Sequence, residues 1–278
     1  MLYLILAIIS SALVSLVMRL SEKYRQNGIS MLAANYVMCT AAAIILAGGS
    51  VIPTGEGAAL TMGLGAISGV LYLLGFVLLQ WNIQRNGVVL PATFQKLGVL
   101  VPTIAAITIF GETPRWTQLL GIAVVGGAIL MMQPRHSGDG QKVNLPGLLA
   151  LLLCCGVCDV MSKVFETWGN AAQGDQFLVF TFLVALVMCI GLCVVKKQSV
   201  TVADAVCGLA LGVPNYFSAR FLLGALQDVP AVVVYPTFAV GTIVVVTLVG
   251  MLAFHEKVEK RKLIALGLIL GALVLLNV

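Results

Sequence analysis

Three ionisable side chains stand inside otherwise apolar stretches of this 278-residue chain: Lys96, Asp159 and Arg220. A charge at the centre of an isolated membrane-spanning helix costs about 2.5–3.5 kcal/mol on insertion scales, so such charges tend to line binding sites and ion paths. When all three are ionised they sum to +1, which suits a ligand carrying a carboxylate or phosphate. Asp159, if ionised, would take the ammonium of a zwitterion; if protonated by burial, it would couple proton movement. Helical spacing enlarges the set. Thr93 and Thr103 share a face with Lys96, and Gln95 adjoins it in sequence. Tyr216 lies one turn from Arg220, and Asp159 shares a stripe with Cys155, Lys163 and Glu166. Asn35, Tyr36, Asn215 and Tyr235 add hydrogen-bonding groups from other apolar stretches. At 1.5 Å per residue, Lys96 lies roughly 12 Å into its stretch, and Asp159 and Arg220 roughly 20 Å from the same side. The last two are therefore candidate partners, as a structural pair or a coupling pair. Lys163 and Arg19, near the ends of their stretches, read as interfacial anchors.

Other chemistries find no support in the sequence. His136 and His255 both fall between apolar stretches, and no HExxH, GxSxG or paired carboxylates occur, which argues against an enzyme. The seven cysteines lie inside apolar stretches, where they act as small packing residues. Cys155-Gly-Val-Cys158 has metal-like spacing but no nearby histidine, so no metal or other cofactor is expected. Without a GxxxxGK loop, ATP is not the direct energy source. The basic residues are scattered rather than gathered into a patch, so no nucleic-acid partner is expected.

The elements that must position these residues follow from composition. Only 16 residues are basic and 11 acidic, 60% are hydrophobic, and mean hydropathy is +1.06. A soluble domain would carry about a quarter charged residues. Apolar runs long enough to cross roughly 30 Å of hydrocarbon recur throughout. Ten spans are predicted, at Leu2–Leu20, Ser30–Gly48, Ala58–Gln80, Val88–Ile109, Trp116–Met132, Leu145–Phe165, Phe177–Val195, Ala205–Leu226, Ala231–Phe254 and Leu263–Leu276. Short connections join them, the longest being the polar link from Gln133 to Asn144. The odd-numbered connections hold Arg19, Lys23, Arg25, Arg85, Arg135, Lys142, Lys196, Lys197, Lys257, Lys260, Arg261 and Lys262, against Arg115 and Lys163 on the other side. The positive-inside rule then sets the odd connections in the cytoplasm and both termini outside. The expected product is an integral protein of a bacterial plasma (inner) membrane.

Shifting the chain by 144 residues aligns its halves without gaps. Phe110-Gly-Glu112 falls on Phe254-His-Glu256, Thr93-Phe94 on Thr237-Phe238, Gly127-Ala128 on Gly271-Ala272, and Tyr72 on Tyr216. Residues 1–133 and 145–278 then form two five-helix repeats about a 134–144 polar linker. Five is odd, so the second repeat is inverted in the membrane, an architecture of alternating-access carriers that bind substrate near the midplane. Positions kept in both halves, such as Glu112/Glu256, read as scaffold. Lys96 (on Val240), Asp159 (on Ser15) and Arg220 (on Phe76) break the symmetry and are assigned to an asymmetric substrate. Gly65/Gly69 and Gly208/Gly212 suit close helix packing. Pro91, Pro102, Pro214 and Pro236 interrupt backbone bonding within spans.

The five-plus-five arrangement, the FGETP corner before a glycine-rich QLLGIAVVGGAIL span, and its echo at FHEKVEK before GLILGALVL resemble the drug/metabolite transporter superfamily in its EamA-like branch. The resemblance implies an all-α basket with spans 1–4 and 6–9 around a central cavity and spans 5 and 10 standing aside, free to face lipid or a second copy. Many relatives keep their termini in the cytoplasm, opposite to the charge count here. The expected activity is secondary transport of a small anionic or zwitterionic metabolite, by a monomer or a homodimer paired through span 5 or 10. The alternatives are a proton-coupled exporter of cationic compounds and, in a different class, a membrane-embedded enzyme or lipid-handling protein. Span 1 offers Ser10, Ser11 and Ser15 where a cation exporter would want an acid.

Overall fold

The computed structural model describes residues 1–48, 51–86, 89–131, 144–253 and 260–277, and within these every regular element is helical. In chain order they are α1 (Leu2–Ser21), α2 (Gly28–Leu46), α3 (Ala58–Asn86), α4 (Val89–Leu97), α5 (Leu100–Thr108), α6 (Trp116–Met131), α7 (Leu145–Trp168), α8 (Gly174–Val195), α9 (Val202–Asp228), α10 (Ala231–Ala253) and α11 (Lys260–Asn277), with a 3-10 turn at Ala171–Gln173. Among the described residues, eight helical segments are long and apolar enough to cross a membrane, Leu90–Thr108 counting as one, and Trp116–Met131 is a shorter apolar helix. The chain is a polytopic helical membrane protein. Most of the Gln133–Asn144 link, both histidines and the second corner with Glu256 lie outside the described residues.

The helices gather into two compact units, residues 1–73 with 161–228 and residues 74–160 with 229–278. Each draws on both halves of the sequence.

In the first unit, glycines set the spacing between helices. A Cβ on Gly208 or Gly212 of α9 would collide with α2, at the Met31 carbonyl oxygen and the Met38 side chain. A Cβ on Gly65 or Gly69 of α3 would strike the Phe177 and Thr181 carbonyl oxygens of α8. Both glycine pairs are structural, as their spacing suggests. Aromatic rings fill the space so defined. Phe182 of α8 packs against Tyr36, Tyr72 and Tyr216, with ring centroids 6.5, 5.9 and 6.1 Å away, while Phe165 stacks on Phe177 at 4.4 Å.

Two polar knots tie the connections of this unit. Asp204 in the first turn of α9 is fully buried, and its Oδ1 accepts the backbone N–H groups of Gln26 (2.8 Å) and Asn27 (3.1 Å). Its Oδ2 accepts the Thr201 hydroxyl at 2.7 Å, and its own N–H donates back to Thr201 Oγ1 at 3.2 Å. This is a capping box, a serine or threonine followed three residues later by an acid, that also anchors the α1–α2 connection. Gln173 forms the second knot, accepting the Thr61 hydroxyl at 2.7 Å and donating to the Thr54 and Glu56 carbonyls. Asp204→Ala would strand two backbone donors that have no other partner among the described residues. It is expected to cost at least about 2 kcal/mol, with Asp204→Asn costing less. Thermal unfolding of the detergent-solubilised protein checks this, and equal Tm values for Asp204→Ala and wild type would contradict it.

In the second unit, α6 and α11 pack on each other, Gly121 leaving room for Leu276. Leu97, Val125, Ala128, Ile129, Val240, Ala272 and Leu276 form a common core from α4, α6, α10 and α11. The FGETP corner acts as a cap. Gly111 takes a positive φ of 66°, which a side chain would resist. The turn lets Glu112 accept the N–H groups of Ala231 (3.0 Å) and Val232 (2.8 Å), two of the unpaired donors at the start of α10. Glu112 is thus scaffold, in keeping with its recurrence in the repeat.

Candidate functional site

Span 4 departs from the continuous helix expected over Val88–Ile109. It breaks between α4 and α5 at Gly98–Val99. The cause is local. Pro102 has no N–H to give to Gly98, the carbonyl four residues back, and that oxygen instead accepts Val101 N–H at 3.0 Å, while Gly98 N–H reaches both Phe94 and Gln95. Two glycines let α7 come close to the break. A Cβ on Gly98 would meet Leu152 O and Cys155 Cβ, and one on Gly156 would run into Val101.

Lys96 and Gln95 sit in the last turn before this break, and both are exposed, whereas Thr93 and Leu97 beside them are buried. Asp159 lies one helical turn beyond Cys155 on α7 and is half-buried. The close approach of α7 at Gly98 brings the helix that carries Asp159 to the break two residues after Lys96. Tyr235 of α10, only 1% exposed, donates its hydroxyl to the Asp159 backbone carbonyl at 2.7 Å. Two residues on, the Thr237 hydroxyl is buried without a hydrogen-bond partner among the described residues. The second unit therefore brings Lys96, Asp159 and Tyr235 together at a broken helix, with Gln95 and Thr93 on the adjoining turn. A lysine at mid-span that remains accessible needs water or a polar ligand at that depth.

The remaining candidates belong to the first unit. Asn215 Nδ2 donates to Asn35 Oδ1 at 3.2 Å and lies near the Cys39 sulfur. Asn35 is fully buried, and its own Nδ2 has no partner among the described residues. Tyr36 and Tyr216, also buried, both pack on Phe182. Arg220 donates to Tyr216 Oη at 2.8 Å.

Two charged side chains find partners within the first unit. One is Arg220, which the sequence offered as a candidate partner of Asp159. Its partner is Asp175 in the first turn of α8, at 2.8 Å through Nη1 and 3.3 Å through Nη2. The sequence reading began that span at Phe177, which left Asp175 in a loop; the helix starts at Gly174 and carries the carboxylate to Arg220. The other is Lys163, expected as an interfacial anchor. It is 8% exposed and bridges Glu166 at 2.6 Å, one turn along α7. That spacing, three residues on a helix, was visible in the sequence.

Comparison with known proteins places these features. Residues 1–133 match the EamA-like transporter family. An uncharacterized protein of Haemophilus influenzae is 27% identical over 190 residues, covering 66% of this chain and 65% of its own, so the match spans less than two thirds of that relative. A crystal structure at 16% identity shares the fold, with a TM-score of 0.80 over 99% of this chain and 94% of its own. Residues 1–133, just under half of the chain, are thus similar to EamA-like transporters, and the chain as a whole shares its fold with a solved structure.

Proposed function

We propose that this protein is a secondary carrier of small polar metabolites, anionic or zwitterionic, that works by alternating access around a midplane site. The observation that carries the reading is Lys96, a basic side chain accessible at mid-span, on a helix end that α7, the helix of Asp159, approaches closely. Broken helices of this kind supply substrate contacts in secondary transporters, because unwound backbone and helix ends present polar groups inside the membrane. Asymmetry between the halves supports it. The segment that aligns with α4 and α5 is α10, which is continuous and carries Val240 where the first half has Lys96.

The inverted repeat draws support from helix order. A shift of 144 residues moves the start of α3, Ala58, onto Val202 of α9, and the start of α6, Trp116, onto Lys260 of α11. Within the first unit, α3 lays its glycine pair on α8 as α9 lays its own on α2, the exchange expected of two inverted copies. The excess of Lys and Arg in the odd connections favours termini outside. An apolar groove of about 470 Å³ lined by Leu13, Val17, Pro214, Phe217 and Phe221 supports a second reading, in which the ligand is apolar or a lipid.

Counterflow distinguishes these. Proteoliposomes preloaded with unlabelled organic acid or amino acid should accumulate the labelled compound transiently, without ATP. Accumulation of cations or lipid analogues alone would overturn the polar-metabolite reading.

A further inference from the structure

The Arg220–Asp175 pair is built as a receptor as well as a brace. It lines a cleft of about 210 Å³ whose walls include Tyr3 at the start of α1, Leu178 of α8, and Leu223 and Gln227 near the end of α9. Both charged side chains are 32% accessible, so neither is sealed by the protein. A guanidinium carries five N–H groups. Among the described residues three are engaged: Nη1 donates to Tyr216 Oη and Asp175 Oδ1, and Nη2 donates to Asp175 Oδ2. The two that remain, on Nε and Nη2, lie side by side along one edge of the plane. That edge is the fork a carboxylate accepts in bidentate fashion.

The other half of the pair decides what the ligand carries besides its carboxylate. Each Asp175 oxygen accepts one Arg220 hydrogen bond and retains a lone pair. A simple anion on Arg220 would stand against this negative charge, and like charges so placed are unfavourable. A zwitterion sets its ammonium on the carboxylate and its own carboxylate on the guanidinium. The size agrees, since pockets for drug-sized ligands run to about 300–1,000 Å³ and this cleft is smaller. Tyr3, stacked on Phe221 with centroids 6.3 Å apart, joins Leu178 and Leu223 in offering an apolar side for a side chain.

We propose that the cleft between α1, α8 and α9 binds a free α-amino acid with an apolar side chain, its carboxylate on the open edge of Arg220 and its ammonium on Asp175. This deepens the carrier reading and rests on it: the cleft lies on the side that the charge count assigns to the outside, where it would collect substrate before transport.

The test is thermal stabilisation and calorimetric binding on detergent-solubilised protein with three probes of one shape: L-leucine, 4-methylpentanoate, which lacks the ammonium, and 3-methylbutylamine, which lacks the carboxylate. L-leucine should bind, and the other two at least ten-fold more weakly. Arg220→Lys, which keeps the charge and loses the fork, and Asp175→Asn, which keeps the shape and loses the charge, should each weaken L-leucine at least ten-fold while remaining monodisperse. Lys96→Ala should bind L-leucine at the cleft as wild type does, even with transport lost. Equal binding of 4-methylpentanoate and L-leucine would overturn the proposal, as would unchanged L-leucine binding in both Arg220→Lys and Asp175→Asn. So would stabilisation by phosphatidylethanolamine with none by L-leucine, which would assign the pair to a lipid headgroup. Undiminished transport in Lys96→Ala would instead sink the midplane site and leave the cleft standing.

Discussion

Gly208→Leu is expected to leave little folded protein, whereas Gly191→Leu should purify and unfold like wild type. Both glycines lie within apolar helices of the same unit, so composition does not separate them. Their surroundings do. A Cβ at Gly208 would meet the Met31 carbonyl oxygen and Ala34 Cβ on α2, and neither is the tip of a movable side chain. A Cβ at Gly191 has nothing within 4 Å and faces outward. Overpacking a close contact costs typically about 1–3 kcal/mol. With backbone as the obstacle, and α2 and α9 joined along their length by Gly208 and Gly212, the cost here should reach at least about 3 kcal/mol, a large fraction of the about 5–15 kcal/mol that holds a typical protein folded. Size-exclusion profiles and Tm values for the two variants check this. Equal profiles would mean that α2 and α9 are not in such close contact.

The second large effect is functional. Lys96→Ala should lower uptake of an anionic or zwitterionic substrate at sub-saturating concentration by roughly 30-fold, since a hydrogen bond to a charged substrate group contributes about 2 kcal/mol. The substitution also changes the surroundings of half-buried Asp159, and a charge left without compensation destabilises. The two effects separate in the pair Lys96→Met with Asp159→Leu. This double variant should recover thermal stability lost by Lys96→Ala and recover no uptake. Recovery of both would reduce Lys96 to a structural counter-ion.

Much of this fold could be read from the chain because hydrocarbon imposes one rule, that backbone polar groups be satisfied within each spanning segment. Apolar length, small-residue spacing at Gly65/Gly69 and Gly208/Gly212, and the repeated FxE corner all report local demands of that kind. The corner's capping of α10 was not legible, because nothing local says which helix start Glu112 reaches. The break at Gly98 was half visible. Pro102 announced a lost hydrogen bond, yet Pro214 and Pro236 lie inside helices that continue, so proline alone does not locate a break. What distinguishes Gly98 is the approach of Gly156 from α7, a tertiary contact.

The charged residues divide in the same way. The Thr201–Asp204 capping box follows a sequence pattern and was passed over because it lay at a span boundary. The same two- or three-residue uncertainty hid Asp175 as a partner for Arg220. Lys96 stood out for a different reason: a charge that an apolar helix does not need, absent from the matching position in the other half, has to be explained by something outside the helix.

The most direct measurement is the change in Tm of purified protein with anionic, zwitterionic, neutral and cationic metabolites, for wild type beside Lys96→Ala. A ligand that binds the folded state raises Tm in a concentration-dependent way. The account predicts that anions or zwitterions stabilise wild type, and that Lys96→Ala keeps only the share of this stabilisation that comes from the Arg220–Asp175 cleft. Stabilisation by cations alone, or an identical response of the two proteins to every substrate that wild type transports, would contradict it.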